Sequence, residues 1–225
     1  LSAGAKKVIV SAPIKGEGIE TFLLGVNDEK YKNQDAISNA SCTTNCVAPV
    51  AWVLHKNFGI LKGMMTTVHA YTAEQNLVDG PPPALKKDLR RARAAALNII
   101  PTSSGVAEAI KSVIPPLGEV FDGLALRVPV ATGSISDFTV LLAKKTTVEE
   151  VNYAFLEYAK KHPDILEATR DPIVSSDIIG NTHSAIVDLS LTRVVGGDLL
   201  KVFAWYDNEW GYANRLVEEI GMVMK

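Results

Sequence analysis

The chain is short of cysteine, of charge imbalance and of long apolar runs. It carries two Cys in 225 residues, and 23 basic against 25 acidic side chains leave a formal net charge of -2. So few cysteines exclude a disulfide-stapled scaffold, and in a reducing compartment the pair stays as thiols. The four histidines, His55, His69, His162 and His183, are scattered. They cannot join Cys42 and Cys46 in the short-spaced ligand pairs of a structural zinc site, so no metal is expected. The lack of a Lys/Arg block argues against nucleic acid or a membrane surface as the main partner. No apolar stretch approaches the roughly 20 residues of a membrane span, and no signal peptide opens the chain, so the expected location is cytoplasmic. What is present, 47% hydrophobic and 21% charged residues, is the composition of a soluble globular protein with a substantial core and more than one domain.

Periodicity then divides the chain. "KVIVS" at 7 to 11 reads as a buried strand closed by Ala12 and Pro13, and "FLLGV" at 22 to 26 as a second short one. From Ser41 the pattern turns helical. Val47, Val50, Val53, Leu54 and Phe58 recur on one face, Gly59 ends the run, and Pro49 inside it predicts a kink. "GMMTTVHAYT" at 63 to 72 predicts a strand, followed by an irregular segment at 73 to 89 punctuated by Gly80, Pro81, Pro82 and Pro83. A basic, Ala-rich helix is expected over "LRRARAAAL", then a loop "PTSSG" opening a helix through Val113. Strands are expected at 120 to 130, 135 to 143, 184 to 190 and 199 to 206. Helices are expected at 147 to 161, behind the capping sequence Thr-Val-Glu-Glu, and at 208 to 225. The fold class is α/β: the end of a parallel layer in the first forty residues, then a mixed, mainly antiparallel sheet carrying helices.

The stretch "NASCTTNC" at 39 to 46 holds both cysteines. With Ser41 as N-cap, Cys42 falls in the first turn of a helix. Unpaired N–H groups and the positive end of the helix dipole favour a thiolate there, which predicts a pKa below the free value of about 8.5. Cys46, one turn deeper, is expected to be buried and inert. The alternative is that both are small core residues, since free cysteine is among the most buried types. A nucleophilic thiol needs a base, and His69, at the end of a strand where loops begin, is the candidate; a strand histidine satisfied by a backbone partner is the competing reading. Surface or supporting roles suit His55, His162 and His183.

Two features point to an anionic substrate. "PTSSG" before a helix offers hydroxyls and N–H groups in the arrangement that binds phosphate, and Arg90, Arg91, Arg93 and Arg127 offer guanidinium forks. A helix cap and a solvated basic face are the plainer readings of each.

"SNASCTTNC", "MMTTVHAYT", "LRRARAAALNIIPTSSG", "LRVPV" and "WYDNEWGYANR" stand in one order and spacing. In this the chain resembles phosphorylating glyceraldehyde-3-phosphate dehydrogenases over its whole length. The resemblance implies that Cys42 attacks the aldehyde of glyceraldehyde 3-phosphate with His69 as base. It assigns the substrate phosphate to Thr72 and Arg127, and the attacking inorganic phosphate to Ser41, Thr43, Arg91, Ser104 and Gly105. It places Asn208, Tyr212 and Ser11 at the cofactor, NAD or NADP. The product would be 1,3-bisphosphoglycerate, and the full-length enzyme would be a homotetramer. The family begins with a dinucleotide-binding fold, yet no G-x-G-x-x-G occurs here, and "KGEG" at 15 to 18 is not one. The chain therefore resembles the C-terminal two-thirds of the enzyme. Residues 1–41 would close the dinucleotide-binding domain, 42–206 form the catalytic domain, and 207–225 a helix packing back on the first. An inactive isolated chain and an open, aggregation-prone sheet edge would follow.

Some positions depart from the family pattern. Val47 replaces a longer aliphatic, Ser104 a more usual Thr, and Asn76 a frequent Arg; the 73 to 89 segment, a subunit-interface region in the family, is longer than usual. Two alternatives stand beside this reading: an erythrose-4-phosphate dehydrogenase, and a non-catalytic binding or assembly module.

Overall fold

The structure, a computed structural model, describes residues 1–14, 16, 18–82 and 88–224. Parts of two stretches noted above, 15 and 17 in "KGEG" and 83–87 in the irregular segment, lie outside the described residues, as does residue 225, the end of the helix expected at 208 to 225.

Near the start, three short strands form a parallel sheet, β1 (Val8–Val10), β2 (Glu20–Thr21) and β3 (Ala36–Ser38), ordered β1-β3-β2. β3 leads through Asn39, Ala40 and Ser41 into helix α1 (Cys42–Phe58). The Ser41 side chain accepts from the Thr44 N–H at 3.2 Å, satisfying one of the orphan donors of the first turn. Gly59, at φ +71°, ends the helix in a conformation that a side chain would strain. Pro49 does not break α1. Val47, Val50, Val53, Leu54 and Phe58 are all buried, and that packing holds the helix across the hydrogen bond the proline lacks.

The remaining chain builds an eight-stranded sheet: β4 (Ile60–Ala70), β5 (Ile100–Ser103), β6 (Phe121–Val128), β7 (Ser134–Leu142), β8 (Leu166–Thr169), β9 (Ala185–Asp188), β10 (Arg193–Val195) and β11 (Leu199–Tyr206). The order is β5-β6-β4-β7-β11-β9-β8, with β10 beside β11. Its pairs are antiparallel except β4 with β6 and β8 with β9, so the mixed, mainly antiparallel sheet is as expected. β7 alternates buried and half-buried residues along its length, the period-two signature of a sheet covered on one face. The covering layer consists of α1, α2 (Val106–Val113) and α3 (Val148–Lys161), packed over Met65, Phe138, Val140, Leu200 and Val202. α3 carries the expected capping box between Thr147 and Glu150. The last helix, α4 (Trp210–Val223), reaches back to the parallel sheet, where Val223 joins Phe22 and Ile37 in a small second core.

Three local expectations are corrected. Residues 22 to 26 form a turn rather than a strand: the Asn27 side chain accepts from the Leu23 N–H at 2.8 Å and folds the segment. "LRRARAAAL" is no regular helix but turns ending in one 3-10 turn, Ala95–Leu97, because Asp79 and Asp88 accept from Ala94, Arg90 and Arg91 N–H groups. Pro101, Thr102 and Ser103 of "PTSSG" belong to the edge strand β5, a position that tolerates proline. β3, β8 and β10 had no sequence signal; each is only three or four residues long.

Candidate active site

The first turn of α1 sits over the end of β4, and this brings Cys42 Sγ to 3.5 Å from His69 Nε2. The loop before it is strained. Ala40 holds φ +51°, unusual for a residue with a side chain, and is fixed by two contacts: its N–H donates to Ser38 Oγ at 3.0 Å and its carbonyl accepts from the Tyr212 hydroxyl at 3.0 Å. Tyr212, on α4, thus bonds the loop that aims Cys42.

Sheet register supplies the next neighbour. His69 on β4 pairs with Arg127 on β6, and Arg127 pairs with Ile100 on β5. Arg127 Nη1 lies 2.8 Å from His69 Nδ1 and donates to the Ala70 carbonyl at 3.0 Å and to Thr72 Oγ1 at 3.4 Å. The Ala70 carbonyl is also 2.7 Å from His69 Nδ1, so either tautomer finds a partner there. Burial, and after it the Arg127 charge, lower His69 to about 4, so the imidazole is neutral at pH 7 and able to accept a proton.

Cys42 behaves otherwise than the helix-start argument predicts. Burial pushes its thiol up, against the Thr43 hydroxyl, the Arg127 charge and the N–H groups of Thr43 and Cys42, which pull it down. Desolvation outweighs the favourable end of the helix, and the resting site is a neutral thiol beside a neutral imidazole. Cys46 is fully buried, its sulfur 3.9 Å from Ser136 Oγ, and burial raises its thiol as well. Both cysteines are free.

Of the four arginines singled out, two come together. Arg91 is buried; its Nε donates to Thr102 Oγ1 at 2.7 Å and its Nη2 to the Ser103 carbonyl at 3.4 Å. Glu74 joins Arg91 to Arg127: the same oxygen, Oε1, accepts from Arg91 Nη1 and, at 3.3 Å, from Arg127 Nη2. Arg93 is exposed and paired with Asp79, and Arg90 is exposed. Ser104, half-buried, accepts from the Val106 N–H at 3.3 Å, with Gly105 exposed at the start of α2.

Thr43 is buried, and its hydroxyl bonds Tyr206 Oη at 3.1 Å, which also bonds Thr67 Oγ1 at 2.7 Å; the Tyr206 ring packs edge-on against His69. Sequence reasoning missed Tyr206 and Glu74. Only an acidic residue two places after Thr72, in the turn leaving the His69 strand, hinted at the latter.

Asn208 Oδ1 accepts from Ser134 Oγ at 2.9 Å and the Gly133 N–H at 3.2 Å, which orients its amide. Its Nδ2 makes no hydrogen bond among the described residues, a donor set suited to a carboxamide oxygen. Asp207 fixes the same turn by accepting from Glu209, Trp210 and Gly180 N–H groups. Ser11 is exposed at the end of β1, next to residues whose carbonyls accept from Ser38 Oγ and the Asn39 N–H; this is the strand end from which the Cys42 loop departs. The other histidines lie elsewhere: His55 caps the turn after α1, His162 stacks on Tyr158, and His183 bonds Asn181 and the Pro163 carbonyl.

The chain is similar to known proteins over its whole length. Residues 41–208 match the family model described as glyceraldehyde 3-phosphate dehydrogenase, C-terminal domain. The whole chain is 58% identical over 227 aligned residues to the glyceraldehyde-3-phosphate dehydrogenase of Mycobacterium bovis (strain BCG / Pasteur 1173P2) and 57% identical to that of Mycobacterium leprae (strain TN). It spans 65% of the length of each. Glyceraldehyde-3-phosphate dehydrogenase 2 of Streptomyces avermitilis is 53% identical over 221 residues, covering 97% of this chain and 64% of that protein. The chain belongs to the glyceraldehyde-3-phosphate dehydrogenase family, with that family's C-terminal domain at residues 41–208.

Proposed function

We propose that this chain carries the catalytic centre for oxidative phosphorylation of glyceraldehyde 3-phosphate to 1,3-bisphosphoglycerate. The observation that carries the reading is the Cys42–His69 pair at 3.5 Å with Arg127 and Thr72 beside it. Cys42 adds to the aldehyde carbon; its proton passes to His69 Nε2 and on to the carbonyl oxygen, giving a hemithioacetal. Asn208 and Tyr212, with Ser11 at the strand end, would hold a nicotinamide dinucleotide, NAD or NADP. Bound there, it supplies the hydride acceptor that takes the carbon to a thioester. Inorganic phosphate then attacks the thioester carbon, the C–S bond breaks, and the thiolate takes back its proton. Arg127 and Thr72 suit the phosphate ester of the substrate. Arg91, with Ser41, Thr43, Ser104 and Gly105, is assigned the attacking phosphate. The names of the relatives favour this substrate over erythrose 4-phosphate.

The division at about residues 41 and 206 follows the chain's passage from the parallel to the mixed sheet and on to α4. A homotetramer is supported by exposed Leu77 and Val78 on the segment, 73 to 89, that the family uses between subunits, and by exposed Leu97 and Ile99 shortly after it. Two free cysteines suit the cytosol. Among the described residues no helix is long and apolar enough to cross a membrane.

The test needs no dinucleotide. 1,3-Bisphosphoglycerate added to the chain should acylate Cys42 and release phosphate, as located by peptide mass spectrometry. Cys42→Ala should abolish this and Arg127→Ala slow it. Acylation at Cys46, or at neither cysteine, would refute the assignment and favour a non-catalytic module.

A further inference from the structure

The roles given above to the stretch at 39 to 46 fall on Ser41, Cys42, Thr43 and Cys46 and leave its two asparagines, Asn39 and Asn45, without one. We propose that Asn45 is a positioning residue for Cys42, its side-chain amide tying together the carbonyls on either side of strained Ala40 so that the sulfur is aimed at His69. The inference rests on the reading of Cys42 as the nucleophile.

Geometry carries it. Asn45 Nδ2 donates to the Asn39 carbonyl at 2.9 Å, to Asn39 Oδ1 at 3.1 Å and to the Ser41 carbonyl at 3.1 Å. Two backbone carbonyls around one terminal atom fix the orientation of the amide, because only its nitrogen can donate to them. Asn45 lies one turn into α1, and side chains on a helix lean toward its N-terminus. This one therefore reaches back past the helix start to the end of β3. Asparagine is a poor helix former and Asn45 is buried, so neither helix propensity nor solvation accounts for its place. Asn39 Oδ1 is turned to Asn45, and the tie is kept although the buried Asn39 Nδ2 has no hydrogen-bond partner among the described residues.

Ala40 shows why the tie matters. Its φ of +51° is a conformation that a residue with a side chain leaves unless its surroundings prevent it. Asn39 is anchored on the parallel sheet, where its N–H donates to the Val10 carbonyl at 3.2 Å, and Ser41 is the N-cap of α1. Asn45 spans the interval between them, while Ser38 Oγ and the Tyr212 hydroxyl hold Ala40 itself. Cys42 follows Ser41 directly. A relaxation of Ala40 toward ordinary backbone would turn the entry to α1 and move the sulfur from its place 3.5 Å from His69 Nε2.

Asn45→Ala removes all three bonds. Asn45→Ser keeps one, since a serine inside a helix donates to the carbonyl four residues back, here that of Ser41, and it drops the two to Asn39. Each variant and the unaltered chain are compared by the rate at which 1,3-bisphosphoglycerate acylates Cys42, by the pH midpoint of iodoacetamide alkylation at each cysteine, and by urea unfolding. Both variants should keep a cooperative transition and a protected Cys46, yet acylate Cys42 about tenfold more slowly, as a sub-ångström displacement of a reacting atom can cost. The alkylation midpoint of Cys42 should move down toward the ordinary thiol value of about 8.5, because a sulfur that leaves its buried place is solvated. A purely structural role would lower the urea midpoint and leave that pH midpoint where it was. Acylation slowed less than about threefold in a folded variant, or an unmoved pH midpoint, overturns the proposal. A variant without a cooperative transition leaves the decision to the other; if both lack one, Asn45 serves the whole fold and the proposal falls. In each of these cases the reading of Cys42 stands as long as the unaltered chain is acylated there. An unaltered chain acylated at Cys46, or at neither cysteine, takes both down.

Discussion

Cys42 and His69, twenty-seven positions apart in sequence, face each other with sulfur and Nε2 3.5 Å apart, one at the start of a helix and the other at the end of a strand. Neither is charged at rest. Burial raises the thiol and lowers the imidazole, so the pair is held as proton donor and acceptor rather than as an ion pair.

The thiol makes the first prediction. Iodoacetamide should modify half-buried Cys42 and spare Cys46, with a rate that climbs with pH through a midpoint above the ordinary thiol value of about 8.5. Arg127→Gln, which removes a charge that favours the thiolate, should move the midpoint higher. A midpoint well below 8.5 would show that the helix start outweighs burial after all.

His69 predicts acid sensitivity. Its value falls from 6.5 to about 4 in the folded chain, so the unfolded chain takes up this proton first as pH drops. The stability tied to neutral His69 is complete above pH 6.5 and lost on descent to about 4. At about 1.4 kcal/mol per pH unit the loss is roughly 3 kcal/mol. Urea unfolding across that range should show a shallower pH slope in His69→Asn; an unchanged slope would remove His69 from the account.

Glu219 predicts the opposite dependence. Neither carboxylate oxygen has a hydrogen-bond partner among the described residues, and burial raises the group from 4.5 to about 8. The folded chain keeps this proton longer than the unfolded one. The associated stability is present below pH 4.5 and fades as pH rises through about 8. Glu219→Gln should therefore melt higher than the unaltered chain on the alkaline side and near it on the acid side. Parallel melting profiles at all pH values would contradict this.

Tyr206→Phe tests the support beneath the site. The lost hydroxyl leaves Thr43 and Thr67 each short of a buried partner, which should cost about 1–2 kcal/mol with an unchanged denaturant slope. Phosphate affinity should fall with it if Thr43 binds phosphate. A variant as stable as the unaltered chain would mean that water replaces the hydroxyl at both sites.

Much of this was legible in the residues. Ser41 announced the start of α1 and Gly59 its end, the Thr147–Glu150 box fixed α3, and alternating runs gave β7 and β11, because capping and periodicity act over neighbouring residues. Cys42, His69, Arg91 and Arg127 could be named as candidates from residue type and place.

The sequence by itself determined the elements that local chemistry specifies and the inventory of groups able to do covalent chemistry on an anion. Tertiary structure alone decided which of those groups meet. The parallel pairing of β4 with β6 sets Arg127 beside His69, and the turn after β4 drops Glu74 between two arginines. It also reversed two local signals: Asp79, fifteen positions before the Ala94 N–H it accepts from, helped pull a helix-forming stretch into turns, and burial raised a thiol that its helix start would lower. Both reversals have one cause. Desolvation and long-range hydrogen bonds depend on what the rest of the chain brings alongside, and no window of neighbouring residues contains that information.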